Sequence, residues 1–397
     1  PRGAAMRRAL LVILPITLAL AACGDDGIDG QPGTYSVSGV VRYEDRPALA
    51  TALLGDPVPV PARFIEVAVI AEDDGATLAT GTTDAAGKYT LTFDGVGGEA
   101  VHVLAIPSSS DPARPISVKH VDPVTGIAKE LHGFGGETFK AGIVTTHDVL
   151  ITAASGEGGA FNIFDTLVVV MDRVPAAFNV TNPPPVTALW QVGSDDGTYY
   201  LDGDHEIHLL GEEVDGDEYD DSVIAHEAGH YIEDVIGRTD NPGGDHDGSP
   251  TDPRLAWSEG FATYFALVIT DSAVYIDTAR DGGFTFDGEA SVTRAVANGG
   301  IGQDVSEDMV TEILYDMGDG LGDDPLDGTH DAVLALQPFL RTATLRAAGT
   351  PGMDLVDALD GWFVKNGLAS CAAIRTIVVA TRLFPYDFGG AAGACPP

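Results

Sequence analysis

The pentad His226-Glu227-Ala228-Gly229-His230 holds the side chains of this chain that are best suited to chemistry. Residues four apart lie one turn apart on the same face of a helix, so both imidazoles can reach one metal ion. Glu227 is about 100° around the helix from His226, and it can instead face a water beside the ion. Two neutral histidines on Zn²⁺, which lowers the pKa of water, and a carboxylate that takes the proton suit the hydrolysis of an amide. The pentad therefore predicts a hydrolytic site with one zinc ion per chain.

The residues that flank the pentad predict that it lies on a helix. Polar residues that favour helix starts precede it, an apolar face runs through it, and Gly237 follows as a stop signal. The starting residues are Asp220, Asp221 and Ser222, and the apolar face is Val223, Ile224, Ile232, Val235 and Ile236. The alternative interpretation is an exposed helix that holds two histidines by chance.

A zinc site of this kind needs a third protein ligand, and two candidates follow the pentad. His246 lies in a loop, Gly243–Gly248, that no predicted helix supports. Glu259 stands at the head of a second predicted helix, from which its carboxylate could reach the metal. The apolar residues of that helix are Phe261, Ala262, Phe265, Ala266 and Ile269. We therefore expect Glu259 to be the third ligand.

These motifs resemble the gluzincins, the zinc metallopeptidases in which H-E-x-x-H is followed by a Glu ligand on the next helix. The match is the pentad together with Trp257-Ser-Glu-Gly-Phe-Ala-Thr-Tyr264, which is similar to the W-x-E-G-F-A motif of aminopeptidase-N-like enzymes. The resemblance implies a zincin-like domain, a small mixed sheet with active-site helices. It also implies that His226, His230 and Glu259 bind Zn²⁺ and that Glu227 is the general base and proton shuttle.

Three departures from the gluzincin pattern bear on the substrate. Twenty-eight residues separate His230 from Glu259, and the insertion is the acidic loop 240–252. The G-x-M-E-N segment that captures a substrate amino terminus in the aminopeptidase-N group is missing from the sequence. Thr263 stands where thermolysin-like enzymes have an Asp that orients a ligand histidine. We therefore predict an endopeptidase in which an edge strand, Glu206 to Leu210, pairs with an extended peptide.

A donor for the transition-state oxyanion is also required besides zinc. Gluzincins usually supply a Tyr or a His downstream of the third ligand. Tyr315, in a predicted helix from Ser306 to Met317, and His330 are the candidates, with packed or surface roles as the alternative for each.

Residues 35–155 read as an all-β domain, because apolar residues alternate with polar or small ones in several short runs. The runs are Tyr35–Tyr43, Val67 with Val69, Tyr89–Phe93 and Val101–Val103. The turn Thr83–Tyr89 has Asp and Gly placed to open a hairpin. With Gly39-Val40-Val41, this stretch resembles the carboxypeptidase regulatory-like (transthyretin-like) β-sandwich. Such modules carry no catalysis, so we expect a spacer or docking domain, with a carbohydrate-binding role as the alternative.

The chain from residue 160 to 397 is predicted to form the peptidase domain, with a helical part from about residue 290. Helical spacing of apolar residues predicts a buried helix over Phe161–Arg173. Strands are expected at Ala188–Val192, Thr198–Leu201 and Glu206–Leu210. The expected fold class is multidomain α+β, in which a β-sandwich precedes a zincin-like domain and a helical subdomain.

The first residues predict export. Arg7 and Arg8 precede fourteen uncharged residues, Ala9–Ala22, which suit a secretory signal but are too few to span a bilayer. Leu20-Ala21-Ala22-Cys23 resembles the lipobox of bacterial lipoproteins, which implies a signal peptide over 1–22 and an acylated Cys23. Residues 23–34 read as a flexible tether. We therefore expect a protein that is lipid-anchored to a bacterial membrane, on the outer membrane or cell surface.

Export also permits a disulfide between Cys371 and Cys395, with two unrelated thiols as the alternative. The net charge of −39, from 60 acidic and 21 basic residues, argues against nucleic acid as a partner. Acidic clusters such as Asp215–Glu218 are candidate Ca²⁺ ligands, although they lack the EF-hand register.

Two classes of function remain from the sequence. The first is a monomeric zinc endopeptidase that acts on protein or peptide substrates. The second is a non-catalytic surface binding or adhesion lipoprotein with a structural metal site. Glu227 favours the enzyme, because a structural site has no use for a base. A glycan-degrading enzyme ranks last, because we find no pair of carboxylates at a suitable spacing.

Overall fold

The computed structural model describes residues 30–122, 125–295, 305–319, 329–342 and 352–389. The predicted signal peptide, Cys23, the first part of the tether and Cys395 lie outside these ranges. A membrane-spanning helix is not found in the described part of the chain, where every helix is too short or too polar. The described residues form a multidomain α+β fold, as expected from the sequence.

The N-terminal region contains two sheets whose apolar faces contribute to one core. The first has the strand order β12-β1-β2, with β5 also on β1, and the second has the order β10-β6-β3-β4, with β11 also on β6. Core residues from both sheets, such as Leu91 and Val103, are buried. The strands of the region are β1 (Pro32–Asp45), β2 (Val58–Pro61), β3 (Glu66–Ala71), β4 (Thr77–Thr82), β5 (Lys88–Val96), β6 (Ala100–Ile106), β7 (Ser108–Ser109), β8 (Ile116–Val121), β9 (Ala128–Leu131), β10 (Phe134–Gly135), β11 (Phe139–Lys140) and β12 (Val149–Ile151).

The predicted turn at Thr83–Tyr89 forms, but it does not close a hairpin. The Asp84 carboxylate accepts hydrogen bonds from the amides of Ala86 (2.8 Å) and Lys88 (2.9 Å), and Gly87 adopts a φ of +72°. The strands on either side belong to different sheets, because β4 pairs with β3 whereas β5 pairs with β1. Local turn chemistry specifies a chain reversal but not the partner of each strand, so the hairpin prediction was wrong.

A third sheet crosses the boundary that was predicted near residue 155. Its order is β14-β15-β13-β8-β7, with β9 also on β8, so strands that precede residue 155 pair with strands that follow it. The parallel pairing of β8 with β13 needs a crossover, which the helix α1 supplies. The elements of this part are α1 (Gly158–Phe178), β13 (Val186–Leu189), β14 (Tyr199–Leu201), β15 (Glu206–His208), β16 (Gly211–Glu212) and β17 (Asp215–Gly216). The range 35–155 is therefore not a self-contained sandwich.

The predicted helices around the pentad and Glu259 are both present. They are α2 (Asp221–Val235) and α3 (Pro253–Ile269), and a small β-hairpin and the C-terminal helices follow. The Asp252 carboxylate caps α3 by accepting a hydrogen bond from the Arg254 amide, and Ser306 caps α4 in the same way. The remaining elements are β18 (Val274–Asp277), β19 (Phe284–Asp287), α4 (Glu307–Gly318), α5 (His330–Leu334), α6 (Leu336–Leu340), α7 (Leu355–Asn366), α8 (Cys371–Arg375) and a π-helical turn (Thr376–Thr381).

Two glycines allow α3 to lie close to both of its neighbours. A Cβ atom at Gly229 of the pentad would lie 2.7 Å from the Cα of Ala262, and one at Gly260 would lie 2.5 Å from the Cβ of Val310. Both distances are too short for any side chain. Gly229 therefore brings α2 against α3, and Gly260 brings α3 against α4. The first of these contacts sets the separation between the histidines and Glu259.

The C-terminal segment is tied to α4 by a buried ion pair. The Arg382 guanidinium contacts the carboxylates of Glu312 (3.0 Å) and Asp316 (2.6 Å), and Arg382 and Glu312 are almost fully buried. Cys371 is buried and disulfide-bonded. Because Cys395 lies outside the described residues, its pairing with Cys371 stays a prediction.

Candidate metal centre and active site

The structure brings His226, His230 and Glu259 together at the floor of a cleft of about 910 Å³. The Nε2 atoms of His226 and His230 lie 3.2 and 3.1 Å from the same oxygen, Oε2 of Glu259. One ligand atom from each of the three residues lies within 4.8 Å of the other two. We call these three residues the metal triad.

The donor set of the metal triad fits a zinc ion. Tetrahedral Zn²⁺ with bonds of about 2.0–2.2 Å places its ligand atoms about 3.3 Å apart. The two distances from nitrogen to oxygen in the triad are close to this value. Two imidazoles and one carboxylate are also the ligands of catalytic zinc sites that keep a fourth position open.

Oxygen atoms on α2 and α3 fix the orientation of both imidazoles. The Nδ1 of His226 lies 3.1 Å from the hydroxyl oxygen of Thr263, which can accept a hydrogen bond from the ring. The Nδ1 of His230 lies 3.3 Å from the Ser258 hydroxyl and 3.5 Å from the Glu233 carboxylate. If each Nδ1 carries the proton, both Nε2 lone pairs point at the metal position.

The Glu259 carboxylate and the adjacent imidazoles stabilise each other's charged forms. Burial alone would raise the pKa of Glu259, but the adjacent imidazoles of His230 and His226 hold it well below its usual range. Burial lowers and the Glu259 carboxylate raises the pKa of His230, and the net effect is an increase. Behind His230, burial raises the pKa of Glu233 to about 7.

The acidic insertion 240–252 folds over the metal triad. The Asn241 side-chain amide donates a hydrogen bond of 3.0 Å to Oε1 of Glu259, the oxygen that does not face the histidines. His246 reaches the same place, with its Nε2 3.7 Å from Oε2 of Glu259. The Glu307 carboxylate lies 2.8 Å from the His246 Nδ1 and raises the pKa of His246 to about 9. The long spacing between the pentad and Glu259 therefore supplies a wall of the site.

Glu227 lines the cleft beside the metal triad without being part of it. Its burial raises the pKa of the carboxyl group. Tyr275 of β18 also lines the cleft, with its ring centroid 6.1 Å from that of His226. Burial raises the pKa of the Tyr275 hydroxyl, which keeps it a hydrogen-bond donor.

The structure does not bring Tyr315 and His330 to the cleft, which corrects the sequence prediction for both. Neither is among the described residues that line it. They pack on each other, with ring centroids 5.2 Å apart, and the His330 Nδ1 lies 3.1 Å from the Tyr264 hydroxyl. Tyr264 follows Glu259 by five residues, which places it about 140° away around α3. Tyr315 and His330 therefore pack on a side of α3 away from the metal position.

The predicted edge strand is also different. The segment Glu206–His208 forms β15, which pairs with β13 on one side and with β14 on the other. The edge strand is β14, and its residues Tyr199 and Tyr200 line the cleft. The Tyr200 hydroxyl donates a hydrogen bond to Asp234 of α2 (2.8 Å), which fastens the edge strand to the helix of the pentad.

Sequence reasoning missed Tyr275, Asn241 and Glu307 and set aside His246. Tyr275 stands in a short strand without a motif, and Glu307 stands at the start of a helix with an acidic first turn. The one available signal was the loop 240–252, because loops carry functional residues more often than their length suggests.

The comparison with protein families indicates a peptidase-related protein. The mycolysin C-terminal domain family matches residues 177–364, slightly less than half of the chain. This range contains α2, α3 and the metal triad. No curated protein matches the sequence.

Two solved structures show faint likenesses. One is a 9R-lipoxygenase from Cyanothece PCC8801, with 14% identity and a TM-score of 0.17 over 36% of this chain and 24% of the lipoxygenase. The other is the major plantain pollen allergen Pla l 1, with 16% identity and a TM-score of 0.18 over 30% of this chain and 92% of the allergen. The chain thus spans about a quarter of the lipoxygenase. Neither likeness bears on fold or function.

Proposed function

We propose that this chain is a zinc-dependent endopeptidase, exported and lipid-anchored as its first residues predict. The observation that carries the proposal is the convergence of both pentad histidines on one oxygen of Glu259, with Glu227 beside them in the same cleft. The match to the mycolysin C-terminal domain supports it. A structural metal site would need neither a cleft nor a spare carboxylate.

The chemistry divides between the metal and the side chains. A bound zinc ion would polarise the scissile carbonyl and lower the pKa of water toward neutrality. Glu227 then accepts the proton of the attacking water and delivers it to the departing amine. Its raised pKa suits the first of these two steps, because a carboxylate with a higher pKa is a stronger base toward the attacking water.

Tyr275 is our candidate for the group that stabilises the oxyanion. It lines the cleft on the same side as His226, and its hydroxyl stays protonated. His246, whose Nδ1 pairs with the Glu307 carboxylate, lines the cleft from the loop 240–252, and this contact raises its pKa to about 9. A donor that meets the developing negative charge contributes mainly to the transition state.

We expect Tyr275→Phe to lower kcat by about 10²-fold with little change in KM, because the lost donor acts on the transition state. The matched control is Tyr315→Phe, which removes the hydroxyl of the tyrosine that packs away from the cleft. Steady-state kinetics on a quenched fluorescent peptide measures both. Equal losses in the two variants would contradict the assignment of Tyr275.

The edge strand β14 is our candidate for substrate alignment. An extended peptide can add to an exposed sheet edge through main-chain hydrogen bonds, and β14 borders the cleft. This mode of binding recognises an extended backbone through its main-chain groups and does not require a chain terminus. It therefore supports endopeptidase action on proteins or peptides.

Metal removal tests the proposed function directly. The protein is expected to contain one zinc per chain and to cleave casein, to lose both properties on dialysis against a chelator, and to recover both with one equivalent of zinc. Elemental analysis and a casein assay measure the two quantities. A protein that binds zinc but cleaves neither casein nor a peptide library would favour the alternative of a non-catalytic binding protein.

A further inference from the structure

A second group of candidate metal ligands lies at the wall of the cleft. Asp217, Asp220 and Asp277 each place one carboxylate oxygen within 4.8 Å of the other two. Asp217 follows β17, Asp220 directly precedes α2, and Asp277 ends β18. We call these three residues the aspartate cluster. It joins two segments, the connection between β17 and α2 and the end of β18, which are about 60 residues apart in the sequence.

Asp220 carries the strongest sign of a missing partner. It is 0% exposed, and its Oδ2 accepts hydrogen bonds from the amide (2.8 Å) and the hydroxyl (3.1 Å) of Thr278. Its Oδ1 is buried and has no hydrogen-bond partner in the described part of the chain. Although Asp220 occupies the N-cap position of α2, its side chain makes no capping bond there. A buried carboxylate oxygen without a partner is costly, and a cation removes that cost.

The charges around the aspartate cluster are also negative. The strongest electrostatic neighbours of Asp217 are Asp277, Asp215 and Glu218, and all of them raise its pKa in addition to the effect of burial. Burial, followed by neighbouring carboxylates, raises the pKa of Asp220 to about 8 and that of Asp277 to about 6.

A nearby basic side chain is engaged elsewhere. Arg280, three residues after Asp277, lies 2.5 Å from the exposed Glu213 carboxylate. Its guanidinium also donates to the Glu213 carbonyl oxygen.

We propose that the aspartate cluster binds one Ca²⁺ ion, separate from the zinc ion of the metal triad. Calcium takes six to eight oxygen ligands at about 2.3–2.6 Å, so oxygens on opposite sides of the ion are about 4.8 Å apart. The three carboxylate oxygens fit inside such a shell. Asp217 and Asp277 line the cleft, from which water can complete the shell. The cluster offers neither nitrogen nor sulfur, the donors that favour zinc.

A calcium ion at the aspartate cluster would lie between the start of α2 and the end of β18. Asp220 directly precedes α2, which carries the pentad, and Asp277 stands two residues after Tyr275 on β18. A cation that joins them fixes the start of the pentad helix relative to the strand of Tyr275. Calcium would therefore stabilise this wall of the cleft without taking part in the reaction.

The test uses the full chain, stripped of metal and reloaded with one equivalent of zinc. Calcium chloride is then titrated by calorimetry, and the melting temperature is recorded with and without calcium. We expect one Ca²⁺ per chain with a Kd below about 10⁻³ M and a rise in Tm of several degrees. The same titration of metal-free protein shows calcium binding even if zinc binding fails, so the two proposals stand or fall separately.

Two variants locate the site. Asp277→Asn changes the least buried member of the aspartate cluster and is expected to weaken calcium binding at least tenfold. Asp281→Asn removes one charge from the same hairpin at an exposed position and is expected to leave binding unchanged. Absence of calcium binding to the wild-type protein, or equal affinity in the Asp277→Asn variant, would overturn the proposal.

Discussion

Replacement of Glu227 by Gln is expected to lower kcat by about 10²- to 10⁴-fold while one zinc ion stays bound to each chain. Gln has the size of Glu but cannot accept the proton of the attacking water. Glu227 lines the cleft and is not part of the metal triad, so the ligands keep their geometry. Because its charge is already disfavoured by burial, the neutral side chain is expected to fold at least as stably.

The matched control for this substitution is Glu213→Gln. Glu213 is exposed and pairs with Arg280 at the surface, so its loss is expected to leave both kcat and zinc content unchanged. Casein and peptide assays combined with elemental analysis measure the two variants. A Glu227→Gln variant that is as active as wild type would exclude the proposed general base.

The second large effect is expected from Glu259→Gln, which should weaken zinc binding more than 100-fold and abolish hydrolysis with it. The substitution keeps the acceptor for the Asn241 amide but replaces the anionic oxygen that faces both histidines. Replacement of a group that only orients a ligand typically lowers metal affinity by about 10- to 100-fold. Replacement of a direct ligand is expected to lower the affinity for zinc by more than that.

Glu233→Gln provides the comparison for Glu259→Gln. Glu233 lies 3.5 Å from the Nδ1 of His230 and accepts a hydrogen bond from Ser258 (2.6 Å), so it orients a ligand without touching the metal position. Competition with a zinc-sensitive dye gives the affinity of each variant, and circular dichroism verifies that each is folded. Equal zinc affinities in the two variants would show that Glu259 is not a ligand.

The sequence predicts the placement of the pentad histidines on one helix well, because the features that decide it are local. Helical spacing puts the pentad histidines on one face, and both helices form where their caps and apolar residues indicate. The meeting of Glu259 with these histidines depends on helix packing, for which the sequence holds one signal. Gly229 allows the close approach of α2 to α3, and it lies inside the recognised pentad.

The sequence predicts the rest of the cleft poorly because tertiary packing decides it. Tyr275 and His246 reach the site from a short strand and a loop, whose paths no periodic pattern fixes. Tyr315 was a candidate oxyanion donor because it follows the third predicted ligand in the sequence. In the structure its ring packs on that of His330 instead of lining the cleft. Strand pairing was equally hard to predict. The residues of β15 do not indicate that β14 pairs with it and takes the edge position in the sheet.

The sheet shared by β8 and β13 makes the first and second halves of this protein interdependent. A truncated version that begins at residue 160 would lack β8. The apolar strand β13 (Val186–Leu189) would then be an unpaired edge strand, which favours self-association. The N-terminal region therefore completes the sheet that contains β13, so we expect the two halves to fold together. Protease nicking between residues 131 and 149 should accordingly yield two fragments that remain together until denatured.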